Sequence, residues 1–207
     1  MWYRVASVVA LLIFAVGVLT TSVLRATLPE YAFSKTNSTP KPTLQVTEVE
    51  YYLAYPGILP DHFLWPAKNL RDNLWLFLTT DPLKKAELYL VLADKRLGAA
   101  LALADGGKEN LAAPTAIEAE KYLQQAVEKE TIARQKRADT GQLLDKLAIA
   151  TLKHRQVLEE IYSQVDEGER SDIASAIDYP KKIFSQLKSV LGALNRAVPP
   201  SPFDISE

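Results

Sequence analysis

The chain has 207 residues, with 24 Lys and Arg against 25 Asp and Glu. The formal net charge of −1 supplies no field to gather nucleic acid, and no basic patch with interleaved aromatics occurs. It has no cysteine, which removes disulfides and thiol chemistry and leaves stability to packing alone.

The apolar run from Val5 to Val23, softened at Gly17, Thr20, Thr21 and Ser22, follows the short head Met1, Trp2, Tyr3, Arg4. About 19 helical residues cover roughly 28 Å, the thickness of a bilayer's hydrocarbon core. Leu24, Arg25, Ala26 makes a poor cleavage site, so residues 1–26 read as a retained single-pass anchor rather than a removed signal. Arg4 on one side, with Arg25, Lys35 and Lys41 on the other, leaves the positive-inside count undecided. A short head with a large tail is the usual export geometry, which places the domain outside the cytoplasm.

Residues 27–50 are rich in Ser, Thr, Asn, Pro and Lys and lack an apolar period, so they read as a flexible linker. Some 22 such residues hold the next element on average about 25 Å from the membrane end. Asn37, Ser38, Thr39 forms a glycosylation sequon that matters only in a host with that machinery.

Residues 51–107 read as a helical hairpin unit. Tyr51, Tyr52 and Tyr55 lead into Pro56, Gly57, Ile58, Leu59, Pro60, Asp61 and His62, an ordered turn expected to pack aromatics onto a core. Pro66 suits a first helical turn, and Leu70, Leu74, Phe77 and Leu78 recur at helical spacing. Asp81 then caps the next helix, with Pro82 at its first position. Between Leu83 and Ala104 two apolar stripes predict a helix covered on two sides, central to its bundle and ended by Asp105, Gly106, Gly107.

Residues 114–198 read as one long helix and a C-terminal one. Thr115 and Glu118 form a capping box, and from there to Val165 no proline and only Gly141 interrupts, which predicts a rod of about 75 Å bent near Gly141. A second capping box, Asp139 with Gln142, offers the alternative of two helices. The polar stretch Glu128–Gln142 would be a bare centre, with Glu130 and Arg134 as an i, i+4 pair. Leu144, Leu147, Thr151, His154, Leu158, Ile161 and Val165 follow a three-four spacing. Glu167 and Gly168 end that element, and Ser171 caps a last helix that Pro180 should kink or divide. Pro199, Pro200 and Pro202 leave 199–207 as a disordered tail. The chain as a whole is expected to be all-α: a transmembrane helix, a linker, then a hairpin packed on a long helix with an antiparallel C-terminal helix.

Candidate sites are sparse. Asp61 and His62 adjoin in a rigid loop, yet no ligand-spaced group accompanies them, so Asp61 reads as a turn or capping residue. His154 reads as a core-edge residue. Glu87, Asp94 and Arg96 lie on the helix with two buried sides and suggest a structural ion pair rather than a metal site. Ser185 and Lys188 match a Ser-x-x-Lys element by chance. No catalytic, metal or cofactor set emerges. Asp61, His62, Trp65, Lys68, Asp81, Glu87 and Arg96 stand as structural or interaction residues.

Pro56 to His62, then Trp65, Pro66 and Lys68, then Asp81, Pro82, Lys85, Ala86, Glu87, Leu88, Leu92, Ala93, Arg96 and Leu97 together resemble a domain of unknown function of bacterial membrane and envelope proteins. The resemblance runs from Tyr55 to Ala100 and leaves the helix beyond Thr115 outside it. It implies a bacterial source and an exported helical domain joined to a membrane segment, and it carries no activity. The reading is therefore a membrane-anchored, non-enzymatic interaction or scaffold module needing no cofactor. Its partners would be the membrane, through Val5–Val23, and another protein, with no nucleic acid. The alternative is a sensor holding a small ligand or ion between helices. A closed, alanine-lined bundle would favour interaction, and a polar pocket around Glu87 and Arg96 would favour sensing.

Overall fold

The structure, a computed structural model, describes residues 49–204; the Val5–Val23 run and nearly all of the linker lie outside the described residues. These residues form five helices and no strand: α1 Trp65–Leu78, α2 Pro82–Asp105, α3 Glu109–Gln135, α4 Gly141–Gln164 and α5 Glu167–Ala193. None is long and apolar enough to cross a membrane.

Local chemistry sets the first helix ends as expected. Thr79 closes α1 by donating its N–H and its hydroxyl to the Trp75 carbonyl, at 3.0 and 2.9 Å. Asp81 Oδ1 accepts from the Lys84 N–H at 2.9 Å, and Pro82 occupies the first turn where a missing N–H costs nothing. At the far end Gly107 takes the left-handed φ of +66°, which lets the Lys108 N–H reach the Leu103 carbonyl at 2.8 Å.

The expected start at Thr115 is wrong by two turns. α3 begins at Glu109, and the Thr115 hydroxyl bonds backward to the Leu111 carbonyl at 2.6 Å instead of capping. Pro114 is tolerated inside the helix because the turn holding it buries Ala112 and Ala113 beside Leu103 and Ala104. The 75 Å rod is likewise overturned. Arg137 adopts φ +63°, the chain reverses, and α4 runs back along α3. Reversal brings Leu143, Leu144 and Leu147 onto Leu123, Ala126 and Val127, apolar surface that a straight rod would leave half covered. The stretch Glu128–Gln142 is thus a corner and not a bare centre: Glu130 is 1% exposed and accepts from the Thr140 hydroxyl at 2.7 Å and from Arg134 Nε at 3.1 Å.

Gly168 sits in the first turn of α5 and does not end α4, which stops at Gln164, and Ser171 is interior to α5. Pro180 does not divide α5. Ile173 and Ile177 before it, and Ile183, Leu187 and Leu191 after it, all reach the core, and their burial outweighs the roughly 3 kcal/mol that an interior proline costs. Residues 199–204 carry no helix, and the Phe203 ring centroid lies 3.8 Å from the Arg155 guanidinium.

Contacts between successive helices pair rising with falling residue numbers, Arg96 with Glu118, Glu120 with His154, Glu130 with Thr140 and Asp145 with Arg196. α2 to α5 therefore run alternately up and down as a four-helix bundle. Two large core clusters each draw residues from all four helices. Alanines dominate where α2 and α3 meet, among them Ala93, Ala100, Ala112, Ala116 and Ala119, all fully buried.

α1 stands apart, because among the described helices its backbone lies against α2 alone. Its orientation reverses the ordinary rule. Lys68 and Asp72 face inward, whereas Leu70, Leu74, Phe77 and Leu78 lie outward at 71, 48, 79 and 65% exposure. Tyr52 and Tyr55, expected on the core, are exposed as well, and only Tyr51 of the three is tucked in.

Candidate functional site

α2 touches α1, α3 and α4, and its side chains divide among them. Asp94 and Arg96 are two residues apart, about 200° around the helix, so one points to α4 and the other to α1. Each anchors a buried polar cluster.

The first cluster is a chain of four groups. The Tyr51 hydroxyl donates to Asp94 Oδ2 at 2.8 Å, Asp94 Oδ1 lies 3.1 Å from His154 Nε2, and His154 Nδ1 lies 2.8 Å from Glu120 Oε1. His154 and Glu120 are fully buried. A neutral imidazole has one N–H, and here both ring nitrogens face carboxylate oxygens, so the arrangement suits the doubly protonated imidazolium. Burial pushes His154 down, but the Glu120 charge, hydrogen bonds to Asp94 and Glu120 and the Asp94 charge outweigh it and hold the group at about 9. Burial pushes the Glu120 carboxyl up against the pull of His154, and its Oε2 has no hydrogen-bond partner among the described residues. The cluster thus places the imidazolium between two carboxylates, with His154 and Glu120 fully buried.

The second cluster joins α1 to α2. Arg96, 2% exposed, lays its guanidinium 4.0 Å from the Trp65 ring and donates from Nη2 to Asn69 Oδ1 at 2.8 Å. Its Nε lies 3.2 Å from Glu118 Oε2, close enough to pair the charges but without an aligned hydrogen bond. Lys68 Nζ donates to the carbonyls of Pro56 and Ile58 at 2.7 and 3.0 Å and sits 4.7 Å from the same Trp65 ring. Burial first, and the neighbouring Arg96 charge second, bring the Lys68 ammonium down to about 8. Asp72, also buried, accepts from Arg71 Nη2 at 2.7 Å. Two cations, an indole and the turn carbonyls therefore glue a helix whose apolar side faces away.

The residues singled out in the sequence scatter. Trp65, Lys68 and Arg96 come together in this second cluster. Asp61 pairs with Lys108, whose hydrogen bond holds its carboxyl below the usual range, so it ties the turn to the α2–α3 loop. His62 accepts from the Leu64 N–H at 3.1 Å and stacks on Phe63, a turn role. Asp81 is the α2 cap, and Glu87 is exposed and belongs to neither cluster. Tyr51, Asn69, Glu118 and Glu120 went unnoticed as site residues. Glu120 left a trace: it sits four after Ala116 and three before Leu123, a lone carboxylate on an apolar stripe. His154 is not a core-edge residue but a fully buried one. Among the described residues no group of three or more His, Asp or Glu is arranged to hold a metal ion.

The fold and these clusters define an all-α bundle with a sealed charge layer and an accessory N-terminal helix. Residues 57–168, more than half of the chain, match the family described as Domain of unknown function (DUF5667), and the chain belongs to that family. The match takes in α1 to α4 and the first residues of α5, so the part beyond Thr115, which the resemblance left out, lies inside the family too. Asp94, Arg96, Glu120 and His154 fall within it, whereas Tyr51 and most of α5 lie outside. No curated protein and no solved structure matches the chain.

Proposed function

We propose that the protein is a membrane-anchored, extracytoplasmic interaction or scaffold module of the bacterial envelope, without enzymatic activity. The observation that carries this reading is the closed interior at Arg96. Where a sensor would need a polar pocket, the guanidinium is packed between Trp65, Asn69 and Glu118, and the neighbouring α2–α3 seam is filled with alanine. Ionisable groups that could do chemistry are instead tied to one another as supports for a rigid bundle. The apolar Val5–Val23 run supplies the tether, and the outer surfaces of α3 to α5 remain for a protein partner.

Three measurements on the full chain test the reading. It should float with membranes, and deletion of residues 1–26 should release the domain. Protease added to spheroplasts should digest the bundle; protection until the membrane is breached would reverse the orientation. Photo-crosslinkers at exposed positions such as Lys146 and Lys181 should give one discrete protein adduct. Absence of any adduct, together with a ligand or divalent cation that changes Trp65 emission, would favour the sensor.

A further inference from the structure

The outer arc of α1 is the least explained surface of the bundle. Between Asn73 on one side and Arg71 on the other, about 160° of the helix carries no ionisable group and is filled by Leu70, Leu74, Phe77 and Leu78, with Phe63 just before the helix at 81% exposure. The polar residues of α1 that would ordinarily face water are turned inward onto Arg96 and the Pro56 and Ile58 carbonyls. Because α1 turns Lys68, Asp72 and Leu76 toward the bundle, the arc is the convex outer side of a helix, a ridge and not a groove. An apolar ridge suits a protein partner only where that partner supplies a groove, whereas a fluid acyl surface needs none. The place of α1 in the chain points the same way: it is the first described helix after the apolar Val5–Val23 run. The segment between them exposes Tyr52 and Tyr55, side chains with an apolar body and a polar tip that suit the headgroup level.

We infer that the outer arc of α1 seats on the lipid bilayer that holds the Val5–Val23 anchor, with Leu70, Leu74 and Phe77 entering the boundary between headgroups and acyl chains. This rests on the anchor reading above. Arg71, the cation at the arc's edge, is already paired with Asp72, so the seat is apolar and insensitive to anionic lipid. Docked this way, the bundle lies against the membrane by α1, and α3 to α5 stay turned away for partners.

The chain lacks cysteine, so Leu74→Cys gives a unique attachment point for an environment-sensitive fluorophore, with Lys146→Cys on α4 as control. The labelled full chain is reconstituted into phosphatidylcholine vesicles, with or without phosphatidylglycerol. A several-fold intensity rise with a blue shift, and quenching by nitroxides in the upper acyl chain, are expected at position 74 in both lipid mixtures and not at 146. Adding Leu70→Asp and Phe77→Asp should abolish the change at 74 while flotation and helical content persist. A water-exposed label at 74 on a chain that still floats would overturn the α1 seat and leave the anchor standing. Cross-linking of unlabelled Leu74→Cys chains to one another, with the label shielded from both water and lipid quenchers, would overturn it in favour of a second copy. Failure of the chain to float would overturn the anchor and the seat with it.

Discussion

α2 holds its two sequence neighbours by opposite means. Toward α3 it presents mainly alanines, and apart from the Arg96–Glu118 pair the two helices meet over a seam in which shape decides the fit. Toward α1 it presents Arg96, half-buried Lys95 and aromatic surface, and adhesion comes from cation–π stacking, hydrogen bonds and a small Leu76, Leu88, Leu92 cluster. The first contact tolerates no change in volume, and the second tolerates no change in charge or planarity. The difference teaches that α1 can be held by its polar side, which leaves Leu70, Leu74, Phe77 and Leu78 exposed.

The largest effect should come from the charge layer that braces α2 against α4. His154→Ala leaves Asp94 and Glu120 buried without their shared cation and should cost about 3–5 kcal/mol in denaturant unfolding. A loss under about 1 kcal/mol would mean that the layer is incidental to the bundle. Next comes the alanine seam, where Ala116→Leu must fit a branched side chain between α2 and α3 and should cost about 1–3 kcal/mol or more. If Ala116→Leu were neutral, the seam would hold space that the fully buried alanines do not suggest.

A smaller effect distinguishes the two cations by pH. His154 is held at about 9 against an unfolded value near 6.5, so the folded state keeps a proton that the unfolded state has released. Its stabilisation is complete below about pH 6.5 and is lost as pH rises toward 9. Lys68, brought down to about 8, acts in the opposite sense from there upward, since the unfolded chain then holds the extra proton. Stability should therefore fall by about 1–2 kcal/mol between pH 6.5 and 8, and the decline should slacken above pH 8. Glu120→Gln should flatten the first segment by removing the charge that holds the imidazole proton, and a slope unchanged by Glu120→Gln would place the titration elsewhere. The smallest effect belongs to the outer arc: Phe77→Asn in the absence of lipid should change stability by less than about 0.5 kcal/mol, because the ring is 79% exposed. A larger loss would show that Phe77 supports the bundle itself.

Much of the fold was legible in local pattern. The Asp81 cap, the Gly106–Gly107 stop and the two-sided burial of α2 follow from residues within one or two turns of each other. The α3–α4 reversal showed only as the alternative that Asp139 and Gln142 offered, since Lys136 to Thr140 contains neither glycine nor proline and the left-handed turn falls on Arg137, a residue type with no preference for it. Only the gain from folding Leu143, Leu144 and Leu147 onto α3 selects it. In the candidate site, Arg96 and the stripe position of His154 were visible, but their partners come from residues 22 to 60 positions away in the chain, Glu118, Asn69, Asp94 and Glu120 among them.

The sequence by itself determined the helical class, the bounds of α2, the absence of thiol chemistry and the position of a bilayer-length apolar run, because each depends on composition or on contacts along one helix. The tertiary structure decided which side of α1 faces the bundle, where the long helical stretch turns back and which buried charges meet. Those outcomes depend on the area and charge that distant helices offer one another, quantities that no local window contains.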